Sequence, residues 1–199
     1  MDIFDHQFNV ATPVSARVEI AIRQMEFARR YTLSLLEDLE PDQWYWPPGN
    51  SDTSEQENSA SEQESSGEYV SHIAWQCGHI AMAQYGLTLF LQRGRVREID
   101  AKLMTGKFRK LFMRGTTPTS SQDDYPDTQE ILETLGRVHQ QMLTEVPTFD
   151  DSELDSASEP PHAGYATRYG ALLFAGHHEM LHAGQIGMLR RLMGKNPLR

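Results

Sequence analysis

One cysteine, Cys77, stands among 199 residues, so no disulfide can close within the chain. A lone thiol fits a reducing compartment. The opening stretch MDIFDHQFNV is acidic and broken in hydropathy, without the basic and apolar regions of a signal peptide. The expected location is therefore cytoplasmic. No apolar run approaches the roughly 20 residues that span a bilayer. Positive charge is in deficit: 18 Lys and Arg face 28 Asp and Glu, a formal net charge of −10. That balance opposes general binding to nucleic acid or anionic membranes. No segment alternates convincingly as a strand, and there is no internal repeat. No G-x-S-x-G elbow occurs. Gly106-Lys107 lacks the preceding glycine of a phosphate-binding loop. What is left is a helical, acidic chain, 39% apolar, long enough for one core.

Its most informative segment is His178-Glu179-Met180-Leu181-His182. Two histidines four apart lie on one helical face and can converge on one metal ion. Counting in threes and fours gives Ala171, Phe174, His178, Leu181, His182, Gln185, Leu189 and Leu192 as the inward stripe. Two imidazoles facing a core need partners, since an unsatisfied buried polar group costs about 1–3 kcal/mol. A shared metal satisfies both at once. A pair of core histidines hydrogen-bonded to neighbouring helices is the plainer reading and ranks second. Glu179 falls off this stripe, which predicts a surface ion pair.

Helical periodicity extends over four segments. The first runs from about Pro13 to Glu40 and carries Val14, Val18, Ile22, Met25, Leu35, Leu36 and Leu39; Pro41 and an aromatic turn, Trp44 to Gly49, follow. The second runs from about Glu68 to Arg93, with His72, Trp75, His79, Met82, Gly86 and Leu89 inward. The third starts at Asp127, spaced from Glu130 as in a capping box, and carries Ile131, Leu135, Val138, Met142 and Val146. The fourth runs from about Tyr165 to Met193, with Gly194 as its stop. Residues 50–67 form an acidic, low-complexity insertion with too little apolar surface to fold. The connection from Gly94 to Pro126 gathers the basic residues Arg95, Arg97, Lys102, Lys107, Arg109, Lys110 and Arg114 just after Arg93. It reads as a solvated loop that could also meet an anionic ligand. A second acidic loop covers about 147–161. Four such helices predict an all-α, single-domain four-helix bundle over 1–199 with long crossover loops.

Two histidines do not complete a metal site; a catalytic zinc usually takes three protein ligands. The H-E-x-x-H pattern of zinc proteases commonly finds its third ligand downstream. Only 17 residues follow His182, with no His, Asp, Glu or Cys among them. The protease reading therefore fails, and the third ligand must come from another helix. His79 is the best candidate and His72, two turns away, the reserve. His139 lies beside its stripe, while His6, His162 and His177 sit in loops or off the inward faces. Cys77, two residues from His79, reads as a packed side chain rather than a nucleophile.

The segment His178-Glu179-Met180-Leu181-His182-Ala183-Gly184-Gln185-Ile186, continuing to Gly194, resembles the closing signature of the DinB superfamily of metal-binding four-helix-bundle proteins. Trp75-Gln76-Cys77-Gly78-His79-Ile80-Ala81 resembles its second-helix signature, and Leu39 to Pro47 the end of its first helix. The resemblance implies a histidine triad at His79, His178 and His182; Gln76 stands where some relatives carry another histidine. It further implies a divalent metal, zinc or nickel ahead of iron, and a low-molecular-weight thiol as co-substrate. The expected activity is that of a metal-dependent thiol S-transferase, with Gln185 positioning a ligand. The alternative is a non-enzymatic metal-binding or stress-related bundle of the same family. Expected partners are a small molecule or thiol and, as in similar bundles, a second copy in a homodimer, with no nucleic acid and no membrane.

Overall fold

The computed structural model describes residues 14–48, 71–119 and 121–198. The predicted insertion at 50–67 and His6 lie outside them. Helix α1 (Ala16–Ser34) starts behind Ser15, whose hydroxyl accepts the Val18 N–H. Helix α2 (Ile73–Tyr85) is prolonged by a π-helical turn, Gly86–Phe90, and a last turn ending at Arg93. Helix α3 is short (Gly106–Phe112). Helix α4 (Thr128–Glu145) begins at the predicted Asp127 cap, whose carboxylate accepts the Glu130 N–H at 2.7 Å. Strands β1 (Ala157–His162) and β2 (Tyr165–Thr167) form an antiparallel hairpin. Helix α5 (Arg168–Leu192) completes the chain, and Gly194, at φ +81°, turns the backbone out of it. Among the described residues the protein is all-α apart from that hairpin. No described helix is long and apolar enough to cross a membrane.

The four long helices form the bundle. Gly176 meets Gln24 and Met25, Glu179 meets Arg29, and Gly187 approaches Leu35. Residue numbers rise together along both chains, so α1 and α5 run parallel. Between α2 and α5 they run oppositely: Gln76 meets His182, and Gln92 meets Arg168. Helices α2 and α4 are again parallel, with Gln84 beside His139 and Arg93 beside Glu145. One crossover connection, from α2 to α4, is therefore required, and the 94–126 segment supplies it. That segment is not the solvated loop the sequence suggested. Its α3 buries Phe108 and Phe112 in the core. Arg93 is buried between Glu145 and Asp100, while Arg95, Lys102, Lys107, Lys110 and Arg114 are exposed.

Three further differences have physical reasons. Helix α1 stops at Ser34, six residues short of Glu40, because Arg190 donates to the Leu35 carbonyl at 2.7 Å and the Leu39 N–H turns back to Leu36 in a tighter step. The hairpin takes the end of the second predicted acidic loop, where Glu159-Pro160-Pro161 hides any alternation, and the predicted first residues of the fourth helix, which starts at Arg168 instead of Tyr165. The inward stripe of α5 is displaced by about one residue, or about 100° around the helix. Leu172, Ala175, Glu179, Ala183, Ile186 and Arg190 are buried, whereas Leu181, Gln185 and Leu192 are exposed.

The displacement traces to buried charge. Glu179 is 2% exposed rather than on the surface. Both its oxygens accept from Arg29, at 2.8 and 3.2 Å. Arg29 also donates to the Leu135 carbonyl at 2.8 Å and to Gln84 at 3.0 Å. The Gln84 amide in turn donates to His139 Nδ1 at 3.1 Å. One guanidinium thus links all four bundle helices, and every polar atom of Arg29 and Glu179 needed for a buried ion pair is matched.

Candidate metal centre

Helix α5 holds His178 and His182 at the edge of its buried stripe, one turn apart. Their Nε2 atoms are 3.3 Å apart. Two imidazole nitrogens aimed at each other need a shared proton or cation between them. Helix α2 brings His79 to the same point: one ligand nitrogen from each of His79, His178 and His182 lies within 4.8 Å of the others. Tetrahedral zinc with bonds of about 2.0–2.1 Å separates its nitrogen ligands by about 3.3 Å, so the α5 pair already has the spacing a metal asks for. The three histidines are positioned to hold a divalent metal ion.

The tautomers are set from outside the triad. His79 Nδ1–H donates to the Phe112 carbonyl at 2.7 Å, leaving Nε2 with its lone pair. The carbonyl is in place because Phe112 packs directly on Gly78, where a Cβ would come within 2.5 Å of the ring. His182 Nδ1–H donates to the Gln76 side-chain oxygen, and the Gln76 amide donates to Ser71 Oγ. With its amide committed to Ser71, Gln76 can present only its oxygen to His182. Gln76 is 3% exposed and sits one turn before His79. This is the usual second layer of a metal site, in which the non-ligating nitrogen is tied to an acceptor. Trp75 stacks on His79 with ring centroids 4.8 Å apart and planes 7° apart, and its indole N–H donates to Thr116.

The electrostatics keep the triad neutral. Burial pushes His178 down to about 4, helped by His79 and His162. Burial likewise pushes His182 down to about 3, with His178 and His79 adding to the effect and Gln185 opposing it by a hydrogen bond. His79 is lowered by burial too. Neutral imidazoles keep the lone pairs that metal binding requires.

The remaining candidates fall elsewhere. His72 is not a reserve ligand: its Nδ1 accepts the Trp75 N–H at 3.1 Å and caps α2. His139 serves Gln84, and His177 is exposed. Cys77 is buried, and burial pushes its thiol well above the ordinary range, as expected of a packed residue. Gln185 is exposed one turn beyond His182. His162 departs from expectation. The hairpin stacks it on Tyr165 at 4.5 Å and sets it 5.5 Å from Phe174, which is 5.8 Å from His178. Gly164 makes this approach feasible, since a Cβ there would reach Phe174 at 2.8 Å. Sequence reasoning passed over Gln76, the Phe112 carbonyl and His162. The sequence marks Gln76 only as standing where some relatives carry another histidine, and His162 only as a loop or off-face residue.

The family model of the DinB superfamily matches residues 24–186, a span that contains all three histidines, Gln76 and Phe112. No curated protein matches the chain.

Proposed function

The chain belongs to the DinB superfamily, and from that premise we propose that it is a metal-dependent thiol S-transferase. The observation that carries the reading is the convergence of three neutral imidazoles, two with their outer nitrogens tied to carbonyl oxygens. Three protein ligands leave a coordination position for a small molecule. Imidazole donors suit zinc, nickel and iron. The chemistry supplied by such an ion when bound is acidification of a coordinated thiol or water.

The chain's own groups supply position and shielding. Trp75 covers one face of His79, and the ring series Tyr165, His162 and Phe174 leads from the hairpin to His178. In this reading Gln185, which hydrogen-bonds His182, holds a polar group of the ligand. The exposed Arg114, two residues after Phe112, is in the same reading the candidate cation for an anionic thiol such as glutathione or coenzyme A.

The test is conjugation of low-molecular-weight thiols (cysteine, glutathione and coenzyme A) to an activated aryl chloride by the metal-loaded protein. In the reaction a C–S bond forms, chloride leaves, and the thiol proton passes to solvent. The reading expects turnover that disappears on chelation and in His182→Ala. Metal-loaded protein inert toward every thiol, at rates no better than buffer, overturns it.

A further inference from the structure

The hairpin is seated closely on α5. Arg168 donates its N–H to the Ser156 carbonyl at 3.0 Å, and Thr167 caps the helix by accepting the Gly170 N–H at 3.0 Å. Two glycines let the layers touch: a Cβ on Gly164 would come within 2.8 Å of Phe174, and one on Gly170 within 3.1 Å of Tyr165. His162, half-buried, ends β1 at this contact. Its ring stacks on Tyr165 with planes 16° apart, and one ring, Phe174, separates it from His178. It is near enough for its charge to lower His178. The tautomer of His162 is set as well. Nδ1 accepts the Gly164 N–H at 3.0 Å, so the neutral ring carries its proton on Nε2. Among the described residues none accepts that Nε2–H. For the ring packing alone a phenylalanine would serve; what histidine adds is one hydrogen-bond donor.

There is room beside it. Gly86 follows His79 by two turns on the same face of α2, and nothing lies within 4 Å of where its Cβ would be. Met82, one turn from each, is half-buried on that face. Because α2 and α5 run oppositely, the opening at Gly86 is level with Phe174, one turn before His178. It extends about 10 Å along the helices, from the triad toward the hairpin. We propose that His162 is a specificity-determining residue of this site: it donates its Nε2–H to an oxygen acceptor on a flat, largely apolar second substrate that lies on Phe174 and over Gly86. The class that fits is an aromatic or other planar carbon frame. Its reacting carbon sits at the triad end, and a carbonyl, nitro or carboxylate oxygen sits at the hairpin end. Phe174 and Met82 hold such a frame by burying its apolar faces. The single donor then discriminates among frames, because one without the oxygen leaves the N–H unpaired. Calling this ligand the second substrate rests on the transferase reading; its binding needs neither metal nor thiol.

The probes are acetophenone and ethylbenzene, one flat frame with and without an oxygen acceptor. Each is titrated into full-length protein, metal-free and metal-loaded, and followed by ¹H–¹⁵N spectra of the imidazoles and by tryptophan fluorescence. Acetophenone should shift the His162 Nε2 resonance and leave that of the exposed His177 in place. Ethylbenzene should bind about 3–10-fold more weakly, the worth of one neutral hydrogen bond. His162→Phe keeps the ring contacts, so its helical circular dichroism and metal content should be unchanged while it binds both probes equally. His162→Gln, which restores a donor, should recover part of the preference. Acetophenone that moves no His162 resonance up to its solubility limit overturns the proposal, as does a preference that survives in His162→Phe. Neither thiol nor turnover enters the measurement. A protein that shows the preference yet conjugates nothing therefore contradicts the transferase reading alone, and one that conjugates thiols without the preference contradicts this proposal alone.

Discussion

Replacing Gln76 by leucine removes one hydrogen-bond acceptor and little volume. The side chain is buried and its oxygen takes the Nδ1–H of His182. In Gln76→Leu that N–H has two options. It can stay, as a buried donor without a partner, at a cost of about 1–3 kcal/mol. Otherwise the proton moves to Nε2, which occupies the lone pair needed by the metal. Either way the binding-competent form of His182 is penalised by the same order. Losing an outer-layer partner of this kind typically weakens metal affinity 10–100-fold, which is about 1.4–2.8 kcal/mol. Gln76→Glu keeps an acceptor at the same place and should restore most of the affinity. Competition with a chromophoric chelator measures the affinities. Two-bond ¹H–¹⁵N spectra of the imidazoles read the tautomer without any metal and should show His182 protonated at Nδ1 in the wild type. A Gln76→Leu protein that binds zinc as tightly as wild type, with His182 still purely Nδ1-protonated, would refute the reasoning.

Other expectations follow from the same contacts. Arg29→Ala leaves Glu179 charged and buried without a partner, so it should cost about 3–5 kcal/mol in urea unfolding; a loss under 1 kcal/mol would show that the link between the four helices carries little. Gly78→Ala drives a methyl into Phe112 and should cost about 1–3 kcal/mol while weakening zinc binding, because the Phe112 carbonyl that holds His79 moves with the ring. Part of the pH response comes from His72 and His139 outside the triad, which burial holds at about 4 and about 3. As pH falls below the unfolded value of 6.5, the unfolded chain takes up protons that the folded one refuses. Chelator-treated protein should therefore lose stability between pH 6.5 and about 4, by up to about 1.4 kcal/mol per pH unit for each histidine. A midpoint for thermal unfolding that stays flat over that window would contradict it.

Much of the fold was legible because its signals are local. The Asp127 cap and the apolar positions of α4 depend on neighbours three and four residues apart, and Ile131, Leu135, Val138 and Met142 are all buried as their period predicts. The metal centre was legible for a related reason. An i, i+4 histidine pair is visible in one helix, and His79 lies mid-helix beside a glycine. What stayed hidden depends on contacts far apart in sequence. Glu179 reads as a surface residue until Arg29, 150 positions away, is seen to neutralise it; that one pair accounts for much of the misjudged phase of α5. His72 keeps the period of α2 yet serves as its cap, since periodicity does not distinguish a first inward residue from a capping one. The helix α3 was read as loop because its basic exposed face outweighs two phenylalanines. Yet Phe112 both fills the space left by Gly78 and supplies the carbonyl that orients His79.

The most direct measurement is the metal content of purified full-length protein by elemental analysis, taken beside His79→Ala, His178→Ala and His182→Ala. With three imidazoles meeting around one ion, the wild type should carry close to one divalent metal per chain, and each substitution should remove most of it while the bundle stays folded. Wild-type protein that remains metal-free after expression in metal-supplemented medium, or variants that keep their full complement, would contradict the account.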